Sequence, residues 1–371
     1  MSNEASARCT LSYSTVFKTP DFYIVGSSVK KLRVGIAGYG VVGKRRRYFV
    51  DMNSHMETVA ISDVTFDARR TGADGVVQYP SYKELLTHGL EVVFVCLPNY
   101  LAADATMRAL KNGIHVFCEK PPGRNLKDIK DVRAVERCHP LLRLKYGFNH
   151  RYHDSFIEAS KIVQSGKFGK LLNIRGIYGK SRIIPFDGGW RSERKLAGGG
   201  ILLDQGIHML DMICSLAGDF DEVSSFVSND YWKHNVEDNA FAMMRSKNGC
   251  VAIIHSTATQ WQHRFRLELT LENAFLELAG ILSGSKSYGE ERITMIPRDS
   301  DSNNGSFKEV TRSFLDDRSW KREIDEFAEL ILRGEPVVNG SSSDAYRVME
   351  LVQRIYYADQ KWRRKFRIAR P

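Results

Sequence analysis

The stretch GGGILLDQGIHMLD, residues 198–211, runs three glycines into an apolar segment carrying Asp204, His208 and Asp211 at one-turn spacing. On a 3.6-residue helix, Leu203, Ile207, Leu210, Cys214 and Ala217 form a core stripe, and the three polar residues form a second stripe rotated by about 100°. A carboxylate one turn from an imidazole can hold it, fix its tautomer and raise its basicity. Asp204 is therefore expected to orient His208 as a proton acceptor, Asp211 has no assigned task, and Gly198–Gly200 are expected to let backbone or substrate come close. A second reactive group ends the apolar run HVFCEKPPG with Glu119, Lys120 and Pro121. A lysine shielded from water exchanges a proton more readily, and proline fixes the chain that follows.

Oxidation of a carbinol needs a base for the hydroxyl proton, a cation for the developing alkoxide and a hydride acceptor. The first two are present in His208 and Lys120, which can exchange roles. The third is announced by GYGVVG, which sets Gly38, Gly40 and Gly43 in GxGxxG spacing around Tyr39, Val41 and Val42, directly after a β-rich run. In that order the glycines turn tightly, admit a pyrophosphate and allow close helix packing, while the helix start faces the phosphates. Asp63 falls twenty residues after Gly43, where a carboxylate accepts both ribose hydroxyls of NAD and repels a 2′-phosphate. Arg69 and Arg70 keep NADP open. Of the run Lys44–Arg47, one cation at most is expected at phosphate and the others in solvent.

The elements that must position these groups follow from periodicity. Residues 1–30 read as an N-terminal extension. From Lys31 to about 150, apolar runs (KLRVGIAGYG, ETVAISD, GVVQYP, EVVFVCLP, IHVFCEKP, LLRLKYGFN) alternate with helical stretches, which predicts a doubly wound parallel sheet, a Rossmann dinucleotide-binding domain. Residues 151–371 predict an α+β domain for substrate binding and oligomerisation. In it a helix and the strand KLLNIRGIYGKS precede a series of β-like segments joined by short turns, a mostly antiparallel sheet. Helices near 319–333 and 343–365 close the chain, and PRDSDSNNGS reads as a loop.

Set together, GYGVVG, CLPNYLAADATMRALKNGIHVFCEKP and GGGILLDQGIHMLD resemble the Gfo/Idh/MocA family of nicotinamide-dependent sugar and polyol oxidoreductases. The similarity runs from about residue 31 to the C-terminal helices and includes VEDNAFA and DRSW. The resemblance implies Lys120, Asp204 and His208 as the catalytic group, and Leu97, Pro98 and Asn99 beside the nicotinamide, with Glu119 and Lys120 also at the cofactor. Many relatives carry a histidine where this chain has Ala102. Trp190 and Arg191, with Asn149 and Arg151, are candidate substrate contacts beside Asp204 and His208, because Trp stacks on a sugar face and Arg pairs with carboxylate or phosphate.

The expected activity is thus reversible hydride transfer between NAD, with NADP open, and a secondary hydroxyl or keto carbon of a sugar or sugar derivative, nucleotide-linked sugars included. Two other readings stay open: a non-catalytic nucleotide-sensing regulator on the same fold, and a dihydrodiol or carbonyl reductase. Six scattered cysteines without zinc spacing predict reduced thiols and no metal site. No apolar run of membrane-spanning length and no signal peptide is evident, so a cytoplasmic protein is expected, with no membrane partner. The net charge of +10 is concentrated in KWRRKFRIARP, where Lys361, Arg363, Arg364, Lys365, Arg367 and Arg370 meet no acid. Without a nucleic-acid-binding motif this tail reads as a solvated helix face. A sheet face in the second domain commonly needs covering, so a homo-oligomer (dimer or tetramer) is expected, and a monomeric mass in solution would count against it.

Overall fold

The computed structural model describes residues 30–181, 189–283, 287–298 and 308–371. The expected N-terminal extension, apart from Lys30, and most of the PRDSDSNNGS loop lie outside these residues. From Lys31 onward the chain forms one compact unit.

Its first sheet has seven strands: β1 (Leu32–Ala37), β2 (Met56–Ser62), β3 (Arg70–Thr71), β4 (Val77–Tyr79), β5 (Val92–Val95), β6 (His115–Cys118) and β7 (Leu144–Tyr146). Their order is β3-β4-β2-β1-β5-β6-β7, parallel throughout except for the short β3/β4 pair. The helices α1 (Val41–Asp51), α2 (Tyr82–Leu85), α3 (Asn99–Lys111) and α4 (Leu126–Arg137) lie between the strands in sequence. All four residues of β5 are buried, as expected for a parallel strand covered on both faces. The expected doubly wound sheet is therefore present, with the ligand edge at the carboxyl ends of β1, β5 and β6.

The second sheet follows α5 (Asp154–Gln164). It contains β8 (Leu171–Gly179), then, beyond the short α6 (Arg194–Ala197) and α7 (Ile207–Ala217), β9 (Phe220–Ser228), β10 (Asn239–Ser246), β11 (Val251–Thr257), β12 (Arg264–Leu271), β13 (Ala274–Ala279), β14 (Glu291–Pro297) and β15 (Val310–Phe314). The order is β15-β14-β13-β12-β8-β11-β10-β9, with only β8 and β11 parallel. Alternation in β10 buries Ala240, Ala242 and Met244 on one face and leaves Phe241 and Met243 exposed on the other, together with Phe226 and Ile253 of the neighbouring strands. The sequence reading missed β15, whose VTRSF shows neither alternation nor burial.

Two expectations change in the C-terminal helices. The helix anticipated over 343–365 is two, α9 (Ser342–Ala358) and α10 (Gln360–Phe366), because Asp359 leaves the helical conformation and its carboxylate caps the Trp362 amide at 2.8 Å. The helix over 319–333, here α8 (Ser319–Arg333), does not belong to the second core. Ile324, Phe327 and Ala328 pack with Val34, Ile36, Phe94 and Phe117 of the first sheet. Phe94 and Phe117 stack at 4.8 Å, and Phe327 meets both edge-on at 6.2 and 5.5 Å. A boundary at residue 150 thus leaves the Rossmann core incomplete. An amphipathic pattern reveals that a helix has a buried face, not which sheet receives it.

Candidate active site

The nucleotide loop is built by close approach. Gly38 sits at φ +91°, and a Cβ at Gly43 would stand 1.9 Å from the Gly38 carbonyl oxygen, so α1 can meet β1 only without that side chain. A Cβ at Gly40 would meet nothing within 4 Å, which leaves the approach that a dinucleotide pyrophosphate requires. Asp63 accepts from the Tyr39 amide at 2.8 Å and from the Thr65 amide and hydroxyl at 3.0 and 2.9 Å. Burial alone would raise its pKa, but these bonds and the Lys44 charge hold it lowered, so it stays ionised where a ribose would dock. Val41 is exposed at the helix start, beside Val42. These residues fit NAD. Arg70 is tied to Gln78 at 2.7 Å and Arg69 lies over the Tyr79 ring at 5.3 Å, so neither is joined to Asp63.

Gly40→Ala is expected to leave the thermal midpoint unchanged, since the new methyl touches no protein atom. It is expected to weaken NAD binding by roughly tenfold or more, because that methyl occupies the pyrophosphate approach. Calorimetric titration with NAD checks this; unaltered affinity would exclude this loop as the phosphate cradle.

Behind the loop, one expectation is overturned. Arg46 does not face solvent or phosphate: it is fully buried, 4.3 Å from the Phe117 ring centroid and 4.2 Å from that of Trp320. Its Nε donates to Glu119 at 2.6 Å, and its Nη1 lies 2.8 Å from Glu323 Oε2 in a contact too poorly aligned for a hydrogen bond. Glu119, expected at the cofactor, thus gives a carboxylate oxygen to this buried cation. Arg47 pairs with Asp74 at 2.5 Å and Asp51 at 3.2 Å. Leu97 packs beside Gly38, while Asn99, at the start of α3 after Pro98, spends its amide on the Ala197 carbonyl at 2.8 Å.

Lys120, at the end of β6, extends to the stretch that precedes α7 and donates to the Asp204 backbone carbonyl at 2.7 Å. That carbonyl lies in a widened π-turn, Leu202–Gly206, rather than in α-helix. The same turn changes the expected Asp204–His208 pairing. The Asp204 carboxylate accepts from Gln205 Nε2 at 3.1 Å and lies 3.9 Å from Lys180 Nζ and 3.8 Å from Arg191 Nε. Among the described residues His208 Nδ1 has no hydrogen-bond partner. A π-turn inserts residues into the winding, so side chains four apart no longer stack. Burial works to raise the Asp204 pKa, but Lys120, Lys180 and Arg191 together hold it at about 2.

His208 instead stacks on His150, ring centroids 3.8 Å apart and 12° from parallel. Burial pushes His208 well below the ordinary histidine range, and the charge of Lys120 adds to the effect. His150 is lowered too, first by burial and then by His208. His150 Nε2 meets the Tyr178 hydroxyl at 3.1 Å, and Tyr178 packs edge-on against Tyr288 at 5.4 Å. Lys180, buried at the end of β8, has its pKa lowered by burial despite the nearby Asp204. Lys180, His150, Tyr178 and Tyr288 were missed in the sequence; the only signal for the first three was their place after or within strands, in IYGKS and NHRYH, and Tyr288 had none.

The other candidates separate. Arg191 lies over the Trp190 ring at 4.4 Å and faces Asp204. Arg151 does not face the site. Asp211, fully buried, takes its Nε and Nη2 at 2.7 and 2.6 Å, and Asp344 lies 3.3 Å from Nη1. The task of Asp211 is thereby found, and Arg151 is spent as its counter-ion. Asn149 is likewise turned inward, donating to Ser319 Oγ at 3.0 Å. The glycines 198–200 make room for protein: a Cβ at Gly198 would fall 2.0 Å from the Arg124 carbonyl oxygen, and one at Gly200 2.0 Å from that of Glu237.

A glycine-lined loop after β1, an ionised carboxylate at the end of β2 and a lysine meeting an ionised aspartate beside a buried histidine fit a nicotinamide-dependent oxidoreductase built on a Rossmann fold. The chain belongs to the Gfo/Idh/MocA family. The model of the oxidoreductase family's NAD-binding Rossmann fold matches residues 32–144, and that of the Gfo/Idh/MocA C-terminal domain matches residues 156–277, together more than half of the chain. It is 26% identical over 352 residues to a D-glucoside 3-dehydrogenase of Escherichia coli strain K12, covering 88% of this chain and 94% of that protein. It is 28% identical over 235 residues to a myo-inositol 2-dehydrogenase of Thermotoga maritima, covering 61% and 68% of the two. Among solved structures, levoglucosan dehydrogenase in complex with NADH and L-sorbose shares the fold, with a TM-score of 0.78 at 19% identity over 90% of this chain and 97% of that one. No helix among the described residues is long and apolar enough to cross a membrane.

Proposed function

We propose that the chain transfers a hydride between NAD and a secondary hydroxyl or keto carbon of a sugar or sugar derivative. The observation that carries this reading is the convergence of Lys120 on the Asp204 segment, with the ionised Asp204 carboxylate ringed by Lys180 and Arg191 beside neutral His208. The names of the relatives, dehydrogenases of a glucoside and an inositol, support a polyhydroxylated substrate.

Gly38–Gly43 and Asp63 would hold the cofactor, whose bound nicotinamide supplies the hydride acceptor. The protonic half of the reaction falls to the chain. His208, kept neutral by burial, accepts the hydrogen bond of the reacting hydroxyl and orients it. It is a poor store for the proton itself, because an imidazolium there would face Lys120 and a stacked second imidazole. Lys120 therefore exchanges the hydroxyl proton, taking it up as the neutral amine in oxidation and returning it as the ammonium in reduction, and in the ammonium form it stabilises developing alkoxide. Asp204 and Lys180, opposite in charge, are placed to accept from and donate to neighbouring hydroxyls, and Trp190 offers an aromatic face. The exposed Phe226, Phe241, Met243 and Ile253 support the expected homo-oligomer by giving the second sheet an apolar outer face.

Following reduced-nicotinamide absorbance over a panel of free, glycosidic and nucleotide-linked sugars, with NAD and with NADP, tests the reading. NAD-dependent turnover of a panel member is expected. Cofactor binding without turnover on any of them would favour the nucleotide-sensing regulator instead.

A further inference from the structure

Lys361, Arg364 and Lys365 of α10 are exposed, as expected of a solvated helix face, but the basic tail does not end there. Trp362 is buried, and beyond α10 the chain turns back so that Arg367 and Arg370 line a cleft of about 640 Å³. Arg124, Lys127 and Lys130 around the start of α4 form a second wall, and Arg194 and Lys195 of α6 a third. No Asp or Glu is among the lining residues. Two of the cations are balanced close by, Arg124 by Asp128 at 3.1 Å and Lys127 by Asp131. Lys130, Arg194, Lys195, Arg367 and Arg370 have no carboxylate within 4.0 Å among the described residues.

Arg194 adds an independent observation. The rings of Tyr356, Trp362 and Phe366 lie 5.1, 5.7 and 4.7 Å from its guanidinium. Its Nη1 is shut off from solvent with no hydrogen-bond partner among the described residues, although buried Glu237 feels its charge. Glu237 Oε2 is buried without a partner as well, so Nη1 faces the protein's own carboxylate and is not a donor to the cleft; Arg194 contributes positive field there. The volume suits a small molecule rather than a nucleic-acid duplex or a protein surface. Cations on three separate elements suit an anion with more than one phosphate group, and the amino end of the twelve-residue α4 adds its dipole to them. The cleft shares no residue with Gly38–Gly43, Asp63, Lys120, Asp204 or His208.

We propose that this cleft is a second binding site, separate from the cofactor loop, for a small polyphosphate anion, either inorganic or the diphosphate of a nucleotide. The two sources are told apart by titrating inorganic pyrophosphate and uridine diphosphate calorimetrically into the full chain, with NAD present at saturation to fill the nucleotide loop. Both are expected to bind, and tighter binding of uridine diphosphate would assign part of the cleft to a base. In Lys130→Glu/Arg370→Glu, which touches none of the proposed catalytic groups, the Kd for pyrophosphate is expected to rise by roughly tenfold or more. Should charge reversal lower the melting temperature, Lys130→Gln/Arg370→Gln provides the same comparison with less perturbation. No binding to the unaltered chain, or an unchanged Kd in a folded variant, would overturn the proposal. The readout is binding rather than turnover, so it stands or falls independently of the sugar reading.

Discussion

Lys120→Met lowers kcat/KM for sugar oxidation by roughly 10²–10⁴-fold, the usual worth of a positioned acid–base group, while NAD binding is retained. Methionine matches the lysine stem as far as Cε and removes both the exchangeable proton and the charge. The bond to the Asp204 carbonyl is lost with them, and so is one of the three cations that keep the Asp204 carboxyl ionised. Rates on the best sugar of the panel, with cofactor affinity measured by quenching of protein fluorescence, check this. Turnover within threefold of the unaltered chain would remove Lys120 from the reaction. His208→Gln in the same assay separates the two roles: an amide can still accept the hydroxyl's hydrogen bond, so the loss there should be the smaller.

The largest effect on stability is expected at Arg46. Arg46→Met strands the carboxylates of Glu119 and Glu323 without their cation, and breaking a buried ion pair from one side costs about 3–5 kcal/mol. The pH dependence has a definite sign. Burial raises Glu323 from an ordinary 4.5 to about 7, with Arg46 and Lys145 opposing the rise. The folded chain therefore holds a proton that the unfolded chain has released between those values, and this group's contribution weakens the fold as pH rises through that window. Without Arg46 the slope steepens, so urea unfolding should show a larger deficit near pH ~7.5 than near pH ~5. Arg46→Met/Glu323→Gln should recover part of the loss, because the second change removes the stranded charge. A single variant that lost under about 1 kcal/mol would show that the buried pair carries little of the stability.

The lesson of Arg46 is general for this chain. The sequence places it in KRRR, four cations at a helix start, where nothing local distinguishes the third from its neighbours. Its burial depends on Trp320 and Glu323, more than 270 positions away on α8. Distance along the chain also hid Asp211, whose purpose is visible only once Arg151 and Asp344 are beside it. The Asp204–His208 pairing failed for a different reason. Spacing of i and i+4 assumes an α-helix, and the π-turn at Leu202–Gly206 re-aims Asp204 toward Lys180 and Arg191. Lys180 itself carried no motif, since its relevance lies in where β8 ends.

By itself the sequence determined the alternating order of the first sheet, the largely antiparallel second sheet and the glycine loop followed by Asp63, and it put forward Lys120, Asp204 and His208 as candidates. Those features rest on local rules: side-chain period, the backbone freedom of glycine and the chemistry of short motifs. Only the tertiary structure decided that α8 completes the Rossmann core, that His208 stacks on His150, that the glycines 198–200 admit the backbones of Arg124 and Glu237, and that the basic tail turns back into a cleft. Each of these is a pairing between distant segments. Burial and charge compensation choose such partners by summed packing over the whole chain, and no window of sequence contains that sum.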